Sequence, residues 1–212
     1  MSAAVPHVVA HRAGNDLERL RRAEAVGAWL VEADVHLHRG RLEVRHLKTA
    51  GPLLWDRWYL APRDTPRLEL ATLLAAAGAP LMLDLKGRDP RLPHRLAAEL
   101  DRVPPRVPVT VCSRSWRLLG PLRERPGVRI VHSVGSRRQL RALRRRFAGR
   151  RLGGVSIHRR LLDAATVADL RSRAELLLTW PVADMEDARR LAGWGVDGVI
   201  TERFEALTEA LA

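Results

Sequence analysis

An α/β protein closed into a single (β/α)8 barrel, with a small β-hairpin after its second strand, is what this sequence predicts, on three observations. Eight short apolar runs alternate with stretches that carry apolar residues at helical spacing. The alternation fills a 212-residue chain, long enough for one well-buried core and short for two. No linker, low-complexity tract or short-period repeat interrupts it, so one domain over residues 1–212 is expected.

The first strand is read at His7 to Ala10, followed by helix from Asn15 to Val26. The second is read at Leu30 to Leu37. Beyond Gly40, the strand-like stretch Arg41 to His46 lies close enough to fold back as a hairpin and bring His46 to the same rim. Thr49 to Pro66 holds Gly51, three prolines and the aromatics Trp55, Trp58 and Tyr59, which predicts a long loop. Its aromatics suit either a plug over the loop's own backbone or a lid over a pocket. Helix from Leu68 to Ala77 then leads to a strand at Pro80 to Leu85, and helix from Pro90 to Leu100 to a strand at Val107 to Cys112. The remaining strands are Val128 to His132, Gly154 to Ile157, Glu175 to Trp180 and Gly198 to Thr201. Helices at Ser115 to Glu124, Ser136 to Phe147, Asp163 to Ala174 and Asp184 to Ala192 separate them, and a last helix starts at Phe204.

The formal charge of +13 raises nucleic acid or an anionic surface as a partner. Of the 37 basic residues only Lys48 and Lys86 are lysines, and the other 35 are arginines scattered along the chain. The densest run, Arg137 to Arg151, contains Leu140, Leu143 and Phe147 at helical spacing, so an amphipathic helix with a solvated arginine face is the favoured reading. No aromatic interleaving or nucleic-acid-binding module accompanies it, and no specific nucleic-acid partner is expected. The lone Cys112 excludes an internal disulfide framework and a multi-cysteine zinc site, and fits a cytoplasmic location. No leader pattern and no transmembrane segment are read.

Glu32 and Asp34 stand two apart on the second strand, which places both on one face. Side by side in an apolar strand they repel each other unless a hard cation lies between them, or unless one faces solvent and the other pairs with an arginine. Asp84 and Lys86 share a face at the end of the Pro80 to Leu85 strand, where this fold places function. Lys86 offers a point charge to a phosphate oxygen or an ion pair to Asp84 or Asp34. His11 follows the first strand and His46 ends the hairpin, and two histidines beside carboxylates supply an acid and a base. His36 and His38 continue the alternation and are expected at the rim or in the core.

Together these residues resemble the glycerophosphodiester phosphodiesterase family. The resemblance rests on His11-Arg12, Glu32-Ala33-Asp34-Val35, His46, Asp84-Leu85-Lys86 and Gly195-Val196-Asp197-Gly198-Val199-Ile200-Thr201, with weaker echoes at Val111-Cys112-Ser113 and Trp180-Pro181-Val182. Each motif is weak alone; their order runs the length of the chain. The resemblance implies a TIM barrel in which Glu32, Asp34 and Asp84 bind one Mg²⁺ or Ca²⁺. It gives Arg12 and Lys86 the substrate phosphate, and His11 and His46 the acid and base roles. It implies a small-molecule phosphodiester as substrate, with glycerol 3-phosphate and an alcohol as products, in lipid and glycerol metabolism. Four departures surround the pocket: Gly14 stands where the family has Glu, Leu47 where it has Asp after the second His, Asp84 where Glu is usual, and Pro181 and Ala183 replace Thr and Asn. They open two alternatives: a degenerate barrel that binds phosphate without turnover, and a phosphodiesterase acting on phospholipid head groups.

Overall fold

Eight parallel strands hydrogen-bond in a closed ring, and helices pack around its outside. The computed structural model describes residues 5–56 and 59–211. In chain order the strands are β1 (His7–Ala10), β2 (Leu30–His38), β3 (Arg41–Val44), β4 (Lys48–Ala50), β5 (Leu53–Asp56), β6 (Tyr59–Pro62), β7 (Leu68–Glu69), β8 (Leu81–Leu85), β9 (Val109–Ser113), β10 (Val128–Val134), β11 (Val155–His158), β12 (Leu177–Trp180) and β13 (Gly198–Thr201). The ring runs β1, β2, β8, β9, β10, β11, β12, β13, and β13 pairs with β1 to close it. This is the predicted (β/α)8 barrel.

Two layers hold it together, because side chains along each strand alternate between faces. Val9, Leu30, Met82, Cys112, Val131, Leu178 and Ile200 form a buried cluster separate from the larger one. The larger cluster includes Val31, Ala33 and Val35 of β2, Leu81, Leu83 and Leu85 of β8, and the apolar stripes of the helices. Those helices are α1 (Leu17–Ala25), α2 (Leu70–Ala76), α3 (Arg91–Arg102), α4 (Arg137–Arg146), α5 (Ala164–Arg171), α6 (Met185–Trp194) and α7 (Phe204–Leu211). Asp16, Ser136, Asp163 and Asp184 cap α1, α4, α5 and α6, each side chain accepting a backbone N–H of the first turn. In α4, Leu140 and Leu143 are buried while Arg137, Arg138, Arg141, Arg145 and Arg146 face solvent, as the amphipathic reading expects. No helix is long and apolar enough to cross a membrane among the described residues.

Two predicted elements differ. The crossover after β9 is a 3-10 helix, Trp116–Leu122, rather than the expected α-helix; it contains Pro121, which has no backbone N–H for an α-helical bond. The expected loop after His46 instead contains a three-stranded antiparallel sheet, β4-β5-β6. Gly51, at φ +55°, sits in the turn between β4 and β5, and Leu54 and Ala61 bury the sheet's apolar side. Trp55 and Tyr59 are exposed, so neither forms the plug; Trp58 lies outside the described residues.

The predicted hairpin is present: β3 pairs antiparallel with the outer half of β2 through the turn Arg39-Gly40. Both turn residues have positive φ, +47° and +80°, the backbone that lets a two-residue connection follow the strand twist. Past β3, the Arg45 N–H donates to the Asp34 carbonyl at 3.0 Å, which continues the pairing and sets His46 beside Asp34.

Candidate active site

The alternation that builds the barrel floor also aims the polar groups above it. His11 stands two residues beyond Val9, Glu32 two beyond Leu30, Asp84 two beyond Met82 and Glu202 two beyond Ile200. Each therefore lies one layer nearer the carboxyl-terminal rim than an interior apolar residue of the same strand.

Asp34 and Asp84 are register partners on adjacent strands, and Glu32, Asp34 and Asp84 each offer an oxygen within 4.8 Å of the others'. Glu32 and Asp34 are buried. The Lys86 ammonium lies 2.6 Å from Asp34 Oδ1 and also contacts Asp84. Asn15 binds Asp34 twice, donating Nδ2–H to Oδ2 at 2.9 Å and accepting the Asp34 N–H at 2.8 Å. Glu32 Oε2 accepts the Arg12 N–H at 2.7 Å, from a residue held at φ +57°.

Burial and the neighbouring Asp34 push the Glu32 pKa well above the ordinary carboxylate value. Burial also raises Asp84, against the pull of Lys86. For Asp34 burial again acts upward, but the hydrogen bond from His46, the Lys86 charge and the bond from Asn15 outweigh it and hold the carboxyl below its usual range. Burial opposes the charge on Lys86, yet Asp84, Asp34 and Glu32 overcome it and raise its pKa.

His46 places Nδ1 at 3.1 Å from Asp34 Oδ2 and Nε2 at 3.6 Å from Asp56 Oδ2 on β5. Because a carboxylate only accepts, Nδ1 is the protonated donor in the first contact. His11 lies 3.9 Å from Glu32 and 3.5 Å from Glu202, and burial, followed by the Arg12 charge, lowers its pKa to about 4. The Arg12 guanidinium pairs with Glu202 at 2.8 Å and reaches within 4.0 Å of Asp34.

The donor set fits a hard divalent cation. Three carboxylates converge on the one ammonium of Lys86, and Asp84 Oδ1 is buried with no hydrogen-bond partner. The alternative in which one carboxylate faces solvent is not what the structure holds, since Glu32 and Asp34 are both inside.

All seven residues singled out in the sequence, His11, Arg12, Glu32, Asp34, His46, Asp84 and Lys86, meet at this rim through the contacts above. His38 does belong to the outer rim, bonded to Arg63 and 3.2 Å from Asp64. His36 is half-buried, and burial and then the Arg45 charge lower its pKa to about 3. Sequence reasoning missed Asp56 and Glu202, which have no motif of their own, and gave no site role to Asn15, although it stands at the Asn of the Glu-Asn-Thr that the resemblance aligns with Gly14-Asn15-Asp16. The departures at Gly14 and Leu47 acquire physical reasons. A Cβ at Gly14 would stand 2.8 Å from Ala33 Cβ and 3.2 Å from the Glu32 carbonyl, so no larger side chain fits there. Asp56 supplies from β5 the carboxylate that Leu47 does not offer to His46.

No family model matches the sequence, and no curated protein matches it. Solved structures do share the fold across the whole length. A phosphodiesterase from Oleispira antarctica in complex with its product sn-glycerol 3-phosphate is 19% identical with a TM-score of 0.78, over 98% of this chain and 97% of that one. A glycerophosphodiester phosphodiesterase from Thermotoga maritima is 17% identical with a TM-score of 0.77, over 97% and 98%. Another from Parabacteroides distasonis is 21% identical with a TM-score of 0.76, over 99% and 98%. At such identities the likeness establishes the shared barrel and leaves the chemistry to the residues.

Proposed function

We propose that this chain is a metal-dependent phosphodiesterase that hydrolyses glycerophosphodiesters to glycerol 3-phosphate and an alcohol. The observation that carries the reading is the trio Glu32, Asp34 and Asp84, the first two buried and the third half-buried, whose oxygens lie within 4.8 Å of one another at the barrel rim, with Lys86 among them and His11 and His46 beside them. The shared fold of phosphodiesterases, one of them holding sn-glycerol 3-phosphate, supports the same substrate class.

Glu32, Asp34 and Asp84 would hold the ion, Mg²⁺ or Ca²⁺; when bound it supplies Lewis-acid polarisation of the phosphate. Arg12 and Lys86 orient the phosphate and offset its charge, Lys86 as a permanent cation and Arg12 as a fork steadied by Glu202. His11 and His46 form the acid and base pair that takes a proton from the attacking hydroxyl and returns one to the leaving alcohol. Asp34 fixes the ring of His46 through Nδ1, and Nε2, with Asp56 Oδ2 3.6 Å away, is the ring's other working atom.

The test is hydrolysis of glycerophosphocholine, glycerophosphoethanolamine and an aryl phosphodiester with Mg²⁺, Ca²⁺, Mn²⁺ or EDTA, following glycerol 3-phosphate or the aryl alcohol. Turnover that EDTA removes is expected. Folded protein with no turnover under any metal would replace this reading with a phosphate-binding barrel that has lost its chemistry.

A further inference from the structure

Beside the carboxylates, the ends of β8 and β9 and the first turn of α4 enclose a cleft of about 410 Å³ that the reaction itself leaves unassigned. Asp84 and Lys86 belong to its wall, so it opens directly on the site. Farther along, the wall is formed by Arg88, Ser113, Arg114 and Gln139.

Some arginines nearby are neutralised, and others, Arg137 and Arg138 at the start of α4 among them, are not. Arg91 pairs with Asp89, and Arg159 with Asp187. Among the described residues neither Arg88 nor Arg114 has a carboxylate within 4.0 Å. The one carboxylate in the wall, Asp84, is already engaged by Lys86. The cleft therefore carries an excess of positive charge one step from the reacting phosphate.

Arg114 is exposed, and its guanidinium lies against Gly135. A Cβ on Gly135 would lie 2.7 Å from its Nη2, 2.8 Å from its Cζ and 3.0 Å from its Nε, so the guanidinium rests against the bare backbone of that glycine. Gln139 binds both sides of the contact: Oε1 accepts the Gly135 N–H at 2.8 Å, and Nε2 donates to the Arg114 carbonyl at 3.2 Å. Gln139 belongs to the first turn of α4, so the positive end of that helix dipole faces the same cleft. The guanidinium itself makes no hydrogen bond or ion pair among the described residues, so its donors are open to an anion in the cleft.

We propose that this cleft receives the arm of the diester beyond the phosphate and selects an arm with its own negative charge, a second phosphate or a carboxylate, held by Arg88 and Arg114. This rests on the phosphodiesterase reading above. It names the substrate class within that reading: glycerophosphodiesters whose alcohol is itself anionic, in preference to neutral or cationic head groups.

The experiment compares kcat/KM of the full chain, with Mg²⁺ or Ca²⁺, on four diesters. Their arms are glycerol phosphate, serine, glycerol and choline. The phosphate-bearing arm should exceed the glycerol arm by about tenfold or more, the gain from charge-assisted hydrogen bonds. The double variant Arg88→Gln, Arg114→Gln should bring that ratio close to one. Gly135→Val, which displaces the guanidinium without removing it, should lower the ratio in the same direction. A wild-type ratio near one, a preference for choline, or a ratio unmoved by the double variant overturns the proposal. A serine arm favoured alone would assign the cleft to carboxylates rather than phosphates. Loss of turnover on every diester would instead defeat the phosphodiesterase reading. In that event calorimetric titration of the same diesters into EDTA-treated protein reads the cleft by itself: tighter binding of the anionic arms, lost in the double variant, upholds the proposal, and equal binding overturns it.

Discussion

His11, just past β1, and His46, between β3 and β4, flank the carboxylate trio, each tied to a different member of it: His11 near Glu32 and His46 to Asp34. If they share the proton transfers, His11→Ala and His46→Ala should each lower kcat by about a hundredfold or more, with the far-ultraviolet circular dichroism unchanged. Near-normal rates in both variants would remove the roles. A third histidine has a different consequence. His132 is 3% exposed, its ring sits edge-on against Phe147 and Trp116, and its Nδ1 has no partner. Burial, and then the Arg123 charge, lower its pKa from 6.5 to about 4. The unfolded chain therefore takes up a proton near pH 6.5 that the folded chain refuses until about pH 4. Stability is full above pH 6.5 and falls as pH drops through that window, by roughly 3 kcal/mol from this one ring. Replacing it in His132→Phe keeps an aromatic ring and should flatten that part of the acid dependence. Denaturant unfolding between pH 7 and 4 checks it; equal slopes for both proteins would mean that the ring titrates freely.

The small sheet β4-β5-β6 shows how an element determines a site that its residues do not announce. Asp56 is ten positions from His46 in sequence, and it reaches Nε2 only because β5 pairs back on β4 in a fixed register. The barrel strands were legible because each carries a dense apolar run, and the motif residues because they sit at strand ends. The small sheet was not, since Leu54 and Ala61 are its only well-buried residues and its alternation is correspondingly faint. Asn15 and Glu202 escaped for a related reason: each matters through a partner on another strand, Asp34 or His11, that only the closed ring brings near. As a positioning residue, Asp56 should show itself in the rate and in the pH profile. Asp56→Ala is expected to reduce kcat about tenfold, as loss of a group that orients a working histidine does, and to alter the pH dependence of kcat while leaving the thermal midpoint nearly unchanged. An unchanged profile with unchanged kcat would leave Asp56 a surface carboxylate.

At the scale of the whole molecule, the barrel places three carboxylates on an apolar floor, an arrangement that opposes folding unless positive charge compensates it. Lys86 supplies one charge, and burial together with the neighbouring Asp34 gives Glu32 a tendency to hold a proton. Glu32→Gln removes one negative charge and keeps an oxygen to accept the Arg12 N–H that Glu32 now accepts at 2.7 Å. In EDTA this variant should therefore unfold at a higher temperature than the natural chain; a gain of about 1 kcal/mol corresponds to roughly 2–4 °C at this size. Divalent cation should act in the opposite sense on the pair. A cation that binds only the folded state stabilises it by about 2.7 kcal/mol at a hundred times its dissociation constant, and the natural chain should gain accordingly with Mg²⁺ or Ca²⁺. The variant, short of one ligand, should gain little, so the order of the two melting temperatures narrows or reverses as metal is added. Thermal unfolding of both proteins across a metal titration measures this. Equal midpoints in EDTA together with equal shifts in metal would place the cation elsewhere and remove Glu32 from its ligands.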